Sequence, residues 1–254
     1  MMKVSIITAC YNREKTIASA IESVSAQKYN DIEYIIIDGA SKDKSMDVIN
    51  QYKDKIDVIV SEKDSGIYDA LNKGIKKSSG DIIGLLHSDD LFYDENTINR
   101  IVDTFENSDA DIVYANGMYI DEKNISKVKR IYKAKYFKKK YLHFGWIPLH
   151  TTIFVKKEVF EKYGLYREDF RIASDYEISL RWFKNSQLKK KFLNQWVVKM
   201  RLGGKSTDLT QQKLKSSEDL RIIKEYNLLG NVTLLFKISR KIPQYILPRL
   251  IKYK

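Results

Sequence analysis

The chain has 254 residues, 43% of them hydrophobic, with 17 Tyr and only 3 Pro, a composition that excludes a disordered protein and leaves room for one large domain with a buried core. No apolar run approaches the ~18 residues needed to cross a bilayer, and the single Cys10 excludes an internal disulfide and suits a reducing cytoplasm. Forty-five Lys and Arg against 33 Asp and Glu give a net charge of +12, which predicts attraction to anions; no nucleic-acid motif accompanies it, so no nucleic-acid partner is expected.

Met1 to Thr8 lacks the features of a signal peptide and reads as a first strand, Val4 to Thr8. Ile17, Ala20, Ile21 and Val24 then recur at helical spacing. Glu33 to Asp38 is a second strand, Met46 to Tyr52 a helix and Ile56 to Val60 a third strand. A helix over Ile67 to Lys77 leads into the strand that starts at Ile82, and a helix over Asn96 to Phe105 precedes the strand Asp111 to Ala115. Repeated strand and helix with short connections predict a compact α/β unit over residues 1–120. After Gly117 the alternation stops. Strands are expected near Thr151 to Lys156 and Lys191 to Met200, and helices near Glu158 to Tyr163 and Asp175 to Asn185. No linker divides residues 121–205 from the first unit, so they are expected to pack onto its sheet as part of the same domain. Residues 206–254 read as a helical tail, of which Val232 to Lys254 is basic and amphipathic.

Three strands of the first unit end in polar residues. These are Thr8-Ala9-Cys10-Tyr11-Asn12, Asp38-Gly39-Ala40-Ser41, and His87-Ser88-Asp89-Asp90. In an open α/β sheet such strand ends converge on one rim, where ligands bind. Tyr11 and Asp38 suit a nucleotide base, Gly39 permits close backbone approach, and Asp89 with Asp90 suits Mg²⁺ or Mn²⁺ on a diphosphate. Asp64 to Gly74 adds Asp69, Asn72 and Lys73 just ahead of the acidic strand. Neither a P-loop nor a G-x-G-x-x-G turn is present. The residues alone leave plainer readings open: Asp38 in a turn, Asp89 and Asp90 capping a helix, Lys73 at the surface, Asp175 as an N-cap and His150 in a structural role.

In order and with spacing intact, SIITACYNREKTIASAIESVSAQ, EYIIIDGASKDKS, SEKDSGIYDALNKGI and GDIIGLLHSDD resemble glycosyltransferase family 2. LHTTIFVKKEVFEKYGLYREDFRIASDYEISLR is similar to the acceptor-side segment of its bacterial polysaccharide members. The resemblance covers about residues 3–185. It implies a GT-A fold, a Rossmann-like, mixed but mostly parallel sheet flanked by helices, with an acceptor-side subregion and a C-terminal helical tail. It also implies donor-side contacts from Thr8, Ala9, Tyr11, Asn12, Asp38, Ser41, Asp69, Asn72, Lys73, Ser88 and Asp90. Asp89 is implied as the metal ligand, Asp175 as the general base, and His150 and Arg181 as acceptor or diphosphate contacts. The chain departs from the commonest D-x-D form at His87, which leaves two readings, a contact to ribose or metal and a packed strand-end histidine.

The implied reaction is an inverting, metal-dependent transfer from a UDP-sugar to a hydroxyl of a lipid-diphosphate-linked saccharide, as in bacterial O-antigen or capsule assembly, with a β-linkage. The basic tail suits the inner face of the plasma membrane, although packing on the domain is the competing reading. A non-catalytic module binding sugar nucleotides or anionic surfaces is the alternative function.

Overall fold

A computed structural model describes residues 1–202 and 209–250, the side chains of residues 209, 210, 249 and 250 excepted. Ile251, Lys252 and the side chains of Arg249 and Leu250, which were read as part of the amphipathic tail, lie outside the described residues. The first half alternates as β1 (Val4–Cys10), α1 (Ile17–Ser25), β2 (Ile32–Asp38), α2 (Ser45–Gln51), β3 (Val58–Ser61), α3 (Ile67–Lys77) and β4 (Ile82–Leu85). Next come a short β5 (Leu91–Phe92), α4 (Thr97–Glu106) and β6 (Ile112–Ile120). The second half contains β7 (Val128–Tyr132), α5 (Lys140–His143), β8 (Ile153–Lys156), α6 (Lys157–Tyr163), α7 (Ser174–Lys184) and β9 (Lys190–Arg201). Three helices close the chain, α8 (Leu209–Glu225), α9 (Asn231–Ser239) and α10 (Lys241–Leu250).

Among the described residues the strands form one sheet in the order β3-β2-β1-β4-β8-β6-β9-β5, with β7 paired to the remaining stretch of β6. β1 is enclosed between parallel β2 and β4, so every residue of VSIITAC is buried and the strand has no polar face. The two-residue period of the strands then divides the core. Ile7, Ile35, Ile37 and Ile83 face the layer that contains Leu71 and Ile75 of α3. Ile6, Tyr34, Ile36 and Ile82 face the opposite layer, with Ile17 and Ile21 of α1 and Ile98 of α4. Gly84 is required for the junction of the halves, because a Cβ there would lie 2.3 Å from Cε1 of Phe154 on β8.

The elements of the first half lie where the periodicity puts them with three differences: β3 starts at Val58 because residues 53–55 form a 3₁₀ turn, the short β5 was not expected, and β6 runs on to Ile120 beyond the expected end at Ala115. Residues 121–205 differ from expectation in kind. They do not pack onto a finished sheet; β8 enters it antiparallel between β4 and β6, and β9 runs parallel to β6. The strand β7 was not foreseen. The tail is docked on one side. Thr233 is buried and donates to the His143 carbonyl at 2.8 Å, and Arg130 Nε of β7 donates to Gln244 Oε1 of α10 at 2.8 Å. Its other side exposes Leu235, Ile238, Ile242 and Ile246.

Candidate functional site

The parallel register brings the three polar strand exits to one rim: Cys10 pairs with Asp38, and Leu86 N–H, just beyond β4, donates to the Ile7 carbonyl. The two loops leaving β1 and β2 are laced together. Asn12 N–H donates to Ser41 Oγ at 2.9 Å, Lys42 N–H to Asn12 Oδ1 at 2.8 Å, and Arg13 N–H to Ser45 Oγ at 2.6 Å. Asn12 and Ala40 both have positive φ, 53° and 57°. For Ala40 that conformation is strained, and it is held by the lacing around it. A Cβ on Gly39 would meet Asp64 Oδ2 at 2.3 Å, so the glycine admits the Asp64 carboxylate to the rim. Burial pushes the Asp64 carboxyl above its ordinary range.

The expected donor-side residues occupy different positions around this rim. Tyr11 presents its ring at 43% exposure, the kind of surface on which a base stacks. Asp38 is fully buried, and its oxygens accept from Ser41 N–H at 3.0 Å, Ser41 Oγ at 2.5 Å and Ser61 Oγ at 2.7 Å. A carboxylate offers about four acceptor positions, so little capacity remains for a base while Ser41 is bound. Thr8, read as a donor-side contact, is closed away: its hydroxyl donates to the Leu86 carbonyl at 2.7 Å and pairs with Tyr34 OH. It pins β1 to the exit of β4. Ala9 is buried beside it, as is Ser88 in the turn after β4.

Four further candidates, Asn72, Lys73, Asp69 and Arg181, already have partners within the protein. Asn72 is buried and makes bonds through both ends of its amide, to the backbone of Tyr166 at 2.9 Å and to Glu168 at 3.0 Å, so it fastens α3 to the following half. Lys73 pairs with Glu62 at 2.9 Å and Asp69 at 3.3 Å, and Asp69 also accepts Ser65 N–H at 2.9 Å; both order the loop before α3. Arg181, read as an acceptor contact, forms a fork on Glu177 and donates to the Tyr163 and Leu165 carbonyls. Its guanidinium is spent on structure.

The turn after β4 separates the two acids. Asp89 keeps 23% of its side chain exposed, 3.9 Å from the Arg13 guanidinium, while its carbonyl accepts from Arg201. Asp90 is buried; Oδ1 accepts Arg201 N–H at 3.2 Å and Oδ2 has no partner among the described residues. Burial and the neighbouring Asp89 charge push its carboxyl well above the usual range, favouring the neutral acid. Asp90 therefore braces the turn from inside and does not face the rim.

His87 of that turn reaches across to the start of β8. Its Nε2 lies 2.8 Å from Nε2 of His150, and His150 Nδ1 lies 3.4 Å from Asp175 Oδ2. Tyr68 OH approaches the other carboxylate oxygen at 3.4 Å. Burial holds both imidazoles below their ordinary pKa, His150 down at about 4, so both are neutral at pH 7. Burial pushes Asp175 up, but His150, Lys215, Lys237 and the Tyr176 N–H outweigh it, so the carboxyl lies below its ordinary value and is ionised. An ionised oxygen at 3.4 Å favours the His150 tautomer that carries its proton on Nδ1. Nε2 of His150 is then the acceptor, His87 Nε2 the donor, and His87 Nδ1 carries a lone pair.

Asp175 is not an N-cap: α7 starts at Ser174 behind Ala173, with no side-chain cap. The loop ahead of the helix is held by Glu218 of α8, which accepts the N–H groups of Arg171 at 2.8 Å and of Ile172 and Ala173 at 3.0 Å. Lys237 of α9 sits 3.3 Å over the Tyr176 ring and 2.6 Å from Asp219 of α8. Glu218 and Lys237 carry no local sequence signal, since each acts on a loop or helix distant in the chain.

A metal fits this site only in part. Among the described residues no three His, Cys, Asp or Glu side chains gather around a common point. Asp89 and His87 supply one carboxylate and one imidazole, a donor set that suits a divalent ion completing its shell with diphosphate oxygens and water.

Residues 5–164 match the family model for glycosyl transferase family 2. The uncharacterized glycosyltransferase RP339 of Rickettsia prowazekii is 32% identical over 227 residues, which cover 85% of this chain and 70% of that protein. Among solved structures, TarS 1-349 of S. aureus in complex with UDP-GlcNAc aligns with a TM-score of 0.68 at 14% identity, over 93% of this chain and 69% of that one. Against the longer TarS crystal structure, with a TM-score of 0.64 at 15% identity, the alignment covers 89% of this chain but only 43% of that one. The mannosyltransferase PcManGT of Pyrobaculum calidifontis, in complex with GDP-Man and Mn²⁺, aligns with a TM-score of 0.66 at 12% identity, over 100% of this chain and 76% of that one. At these identities the structural likeness concerns the fold, which is that of GT-A glycosyltransferases.

Proposed function

This chain belongs to glycosyl transferase family 2, and from that premise we propose that it transfers a sugar from a UDP-sugar to a hydroxyl of a lipid-diphosphate-linked saccharide, with inversion at the anomeric carbon. The observation that carries the reading is the line of contacts from Asp175 to His150, at 3.4 Å, and from His150 to His87, at 2.8 Å, which leads from the first turn of α7 to the acidic exit of β4. An ionised carboxylate at one end and a diphosphate-compatible donor set at the other are the two ends of a single displacement.

Asp175 accepts the proton of the acceptor hydroxyl as its oxygen bonds to the anomeric carbon. The bond from that carbon to the diphosphate oxygen breaks, and UDP leaves with the electron pair. An α-linked donor gives a β-glycoside. His150 stands against Asp175, Nδ1 at 3.4 Å from its carboxylate, and is itself held by His87. Tyr11 offers a stacking face to the base, while Arg13 stands beside Asp89 as a cation for the diphosphate. Mn²⁺ or Mg²⁺ at Asp89, with His87 alongside, would neutralise charge on the leaving diphosphate.

The acceptor assignment is supported by the tail. On α9 and α10, Leu235, Ile238, Ile242 and Ile246 are exposed next to Arg240 and Lys241, a surface that suits an anionic leaflet. No described helix is long and apolar enough to cross a membrane. The test is Asp175→Asn, which keeps size but is no longer a base. Transfer is expected to fall about 10²- to 10⁴-fold with UDP affinity by calorimetry retained. Full activity would remove the assigned base, and an α-glycoside by NMR from an α-UDP-sugar would overturn inversion.

A further inference from the structure

Four cations from elements far apart in the chain form a series of neighbours that starts at Asp175: Lys237 of α9 and Lys215 of α8 act on its carboxylate, Lys241 of α10 faces Lys215, and Arg130 of β7 faces Lys241. Lys237 is tied to Asp219 at 2.6 Å and lies on the Tyr176 ring. The Arg130 guanidinium is clamped between the rings of Tyr119, at 4.5 Å, and Tyr245, at 5.3 Å, and is bonded to Gln244. Among the described residues, Arg130, Lys215 and Lys241 have no carboxylate within ion-pair distance, so Asp219 is the one acid paired into the group. Their charges act on one another. Burial lowers the proton affinity of Lys237, to a pKa of about 8, and of Lys241; Lys215 lowers both further, and Arg130 adds to the effect on Lys241. Lys215 also acts on Asp175 and on His150. The Tyr176 hydroxyl, next in sequence to Asp175, is buried without a partner among the described residues.

Four like charges with a single paired acid among them are destabilising on their own and become favourable when a further anion joins them. We propose that Arg130, Lys215, Lys237 and Lys241 form a phosphate-binding subsite on the acceptor side of Asp175, taking the diphosphate that links the acceptor saccharide to its carrier. The inference rests on the reading of Asp175 as the base that faces the acceptor. It also gives the docked tail a part in the reaction: two of the four cations are carried by α9 and α10, so the acceptor phosphate and the tail bind each other.

Inorganic pyrophosphate is the probe, titrated by calorimetry into the full-length protein saturated with UDP and free of divalent metal, so that the donor diphosphate site is filled. The wild type is expected to bind it, and K215Q/K241Q to bind it about tenfold more weakly or worse, with unchanged UDP affinity. Retention on phosphatidylglycerol vesicles is measured on the same proteins. Loss of vesicle binding in the variant, with no pyrophosphate binding in the wild type, would overturn the proposal and assign the cations to lipid headgroups. Equal pyrophosphate affinity in wild type and variant would overturn it as well. Failure of the wild type to bind UDP counts against the donor reading alone; the same comparison in UDP-free protein still decides the subsite.

Discussion

Glu218→Ala tests whether α8 sets the position of the base. Glu218 is 9% exposed and satisfies three consecutive backbone N–H groups, of Arg171, Ile172 and Ala173, immediately ahead of α7. In the alanine variant the amides of exposed Arg171 and half-buried Ile172 regain water, at a combined loss of about 1 kcal/mol relative to charge-assisted bonds. Ala173 has no solvent exposure, so its N–H is left unpartnered at a cost of about 1–3 kcal/mol. The total destabilisation is therefore about 2–4 kcal/mol, read as a lower urea midpoint with an unchanged slope. Glu218→Gln keeps one acceptor oxygen but turns an NH₂ group toward the loop, and is expected to lose less. Because the loop leads directly into Ser174 and Asp175, transfer should fall in both variants while UDP affinity, set by the loops leaving β1 and β2, which Glu218 does not touch, stays within about twofold of wild type. An unchanged urea midpoint in Glu218→Ala, or a loss of UDP affinity equal to the loss of transfer, would refute the assignment.

Asp89→Ala removes the exposed carboxylate of the β4 exit, and is expected to abolish the strengthening of UDP binding by Mn²⁺ with little change in unfolding; calorimetry with Mn²⁺ and with EDTA checks both. Glu33 supplies the pH prediction. Burial opposes its charge, but Ser5, Ser79 and Lys3 overcome it and bring its pKa from 4.5 to about 2. The folded value lies below the unfolded one, so its stabilisation is complete above pH 4.5 and is lost as pH falls toward 2, to a total of about 3 kcal/mol. In Glu33→Gln the stability curve between those pH values should flatten by that amount; parallel curves for variant and wild type would show that the group does not titrate as argued.

What the sequence by itself determined is what local pattern encodes. The apolar runs Val4 to Thr8 and Ile35 to Ile37 became central strands, because a strand buried on both faces must be apolar throughout, and α3 occupies the interval its 3.6-residue period marks. The ordered motifs likewise indicated the rim and the acid in the first turn of α7. Tertiary structure decided which of those polar residues remain available. Thr8, Asn72, Lys73 and Arg181 read as ligand contacts, yet each is bonded to protein groups that a local pattern does not reveal. The same holds for what was added. His87 meets His150 across 63 residues, and Glu218 reaches back 45 residues to Ala173. Those meetings depend on β8 entering the sheet between β4 and β6 and on α8 folding back over α7. Periodicity fixes which face of an element is buried; the partner on that face is fixed by the order in which distant strands pair, and a hydrogen bond or ion pair requires the partner.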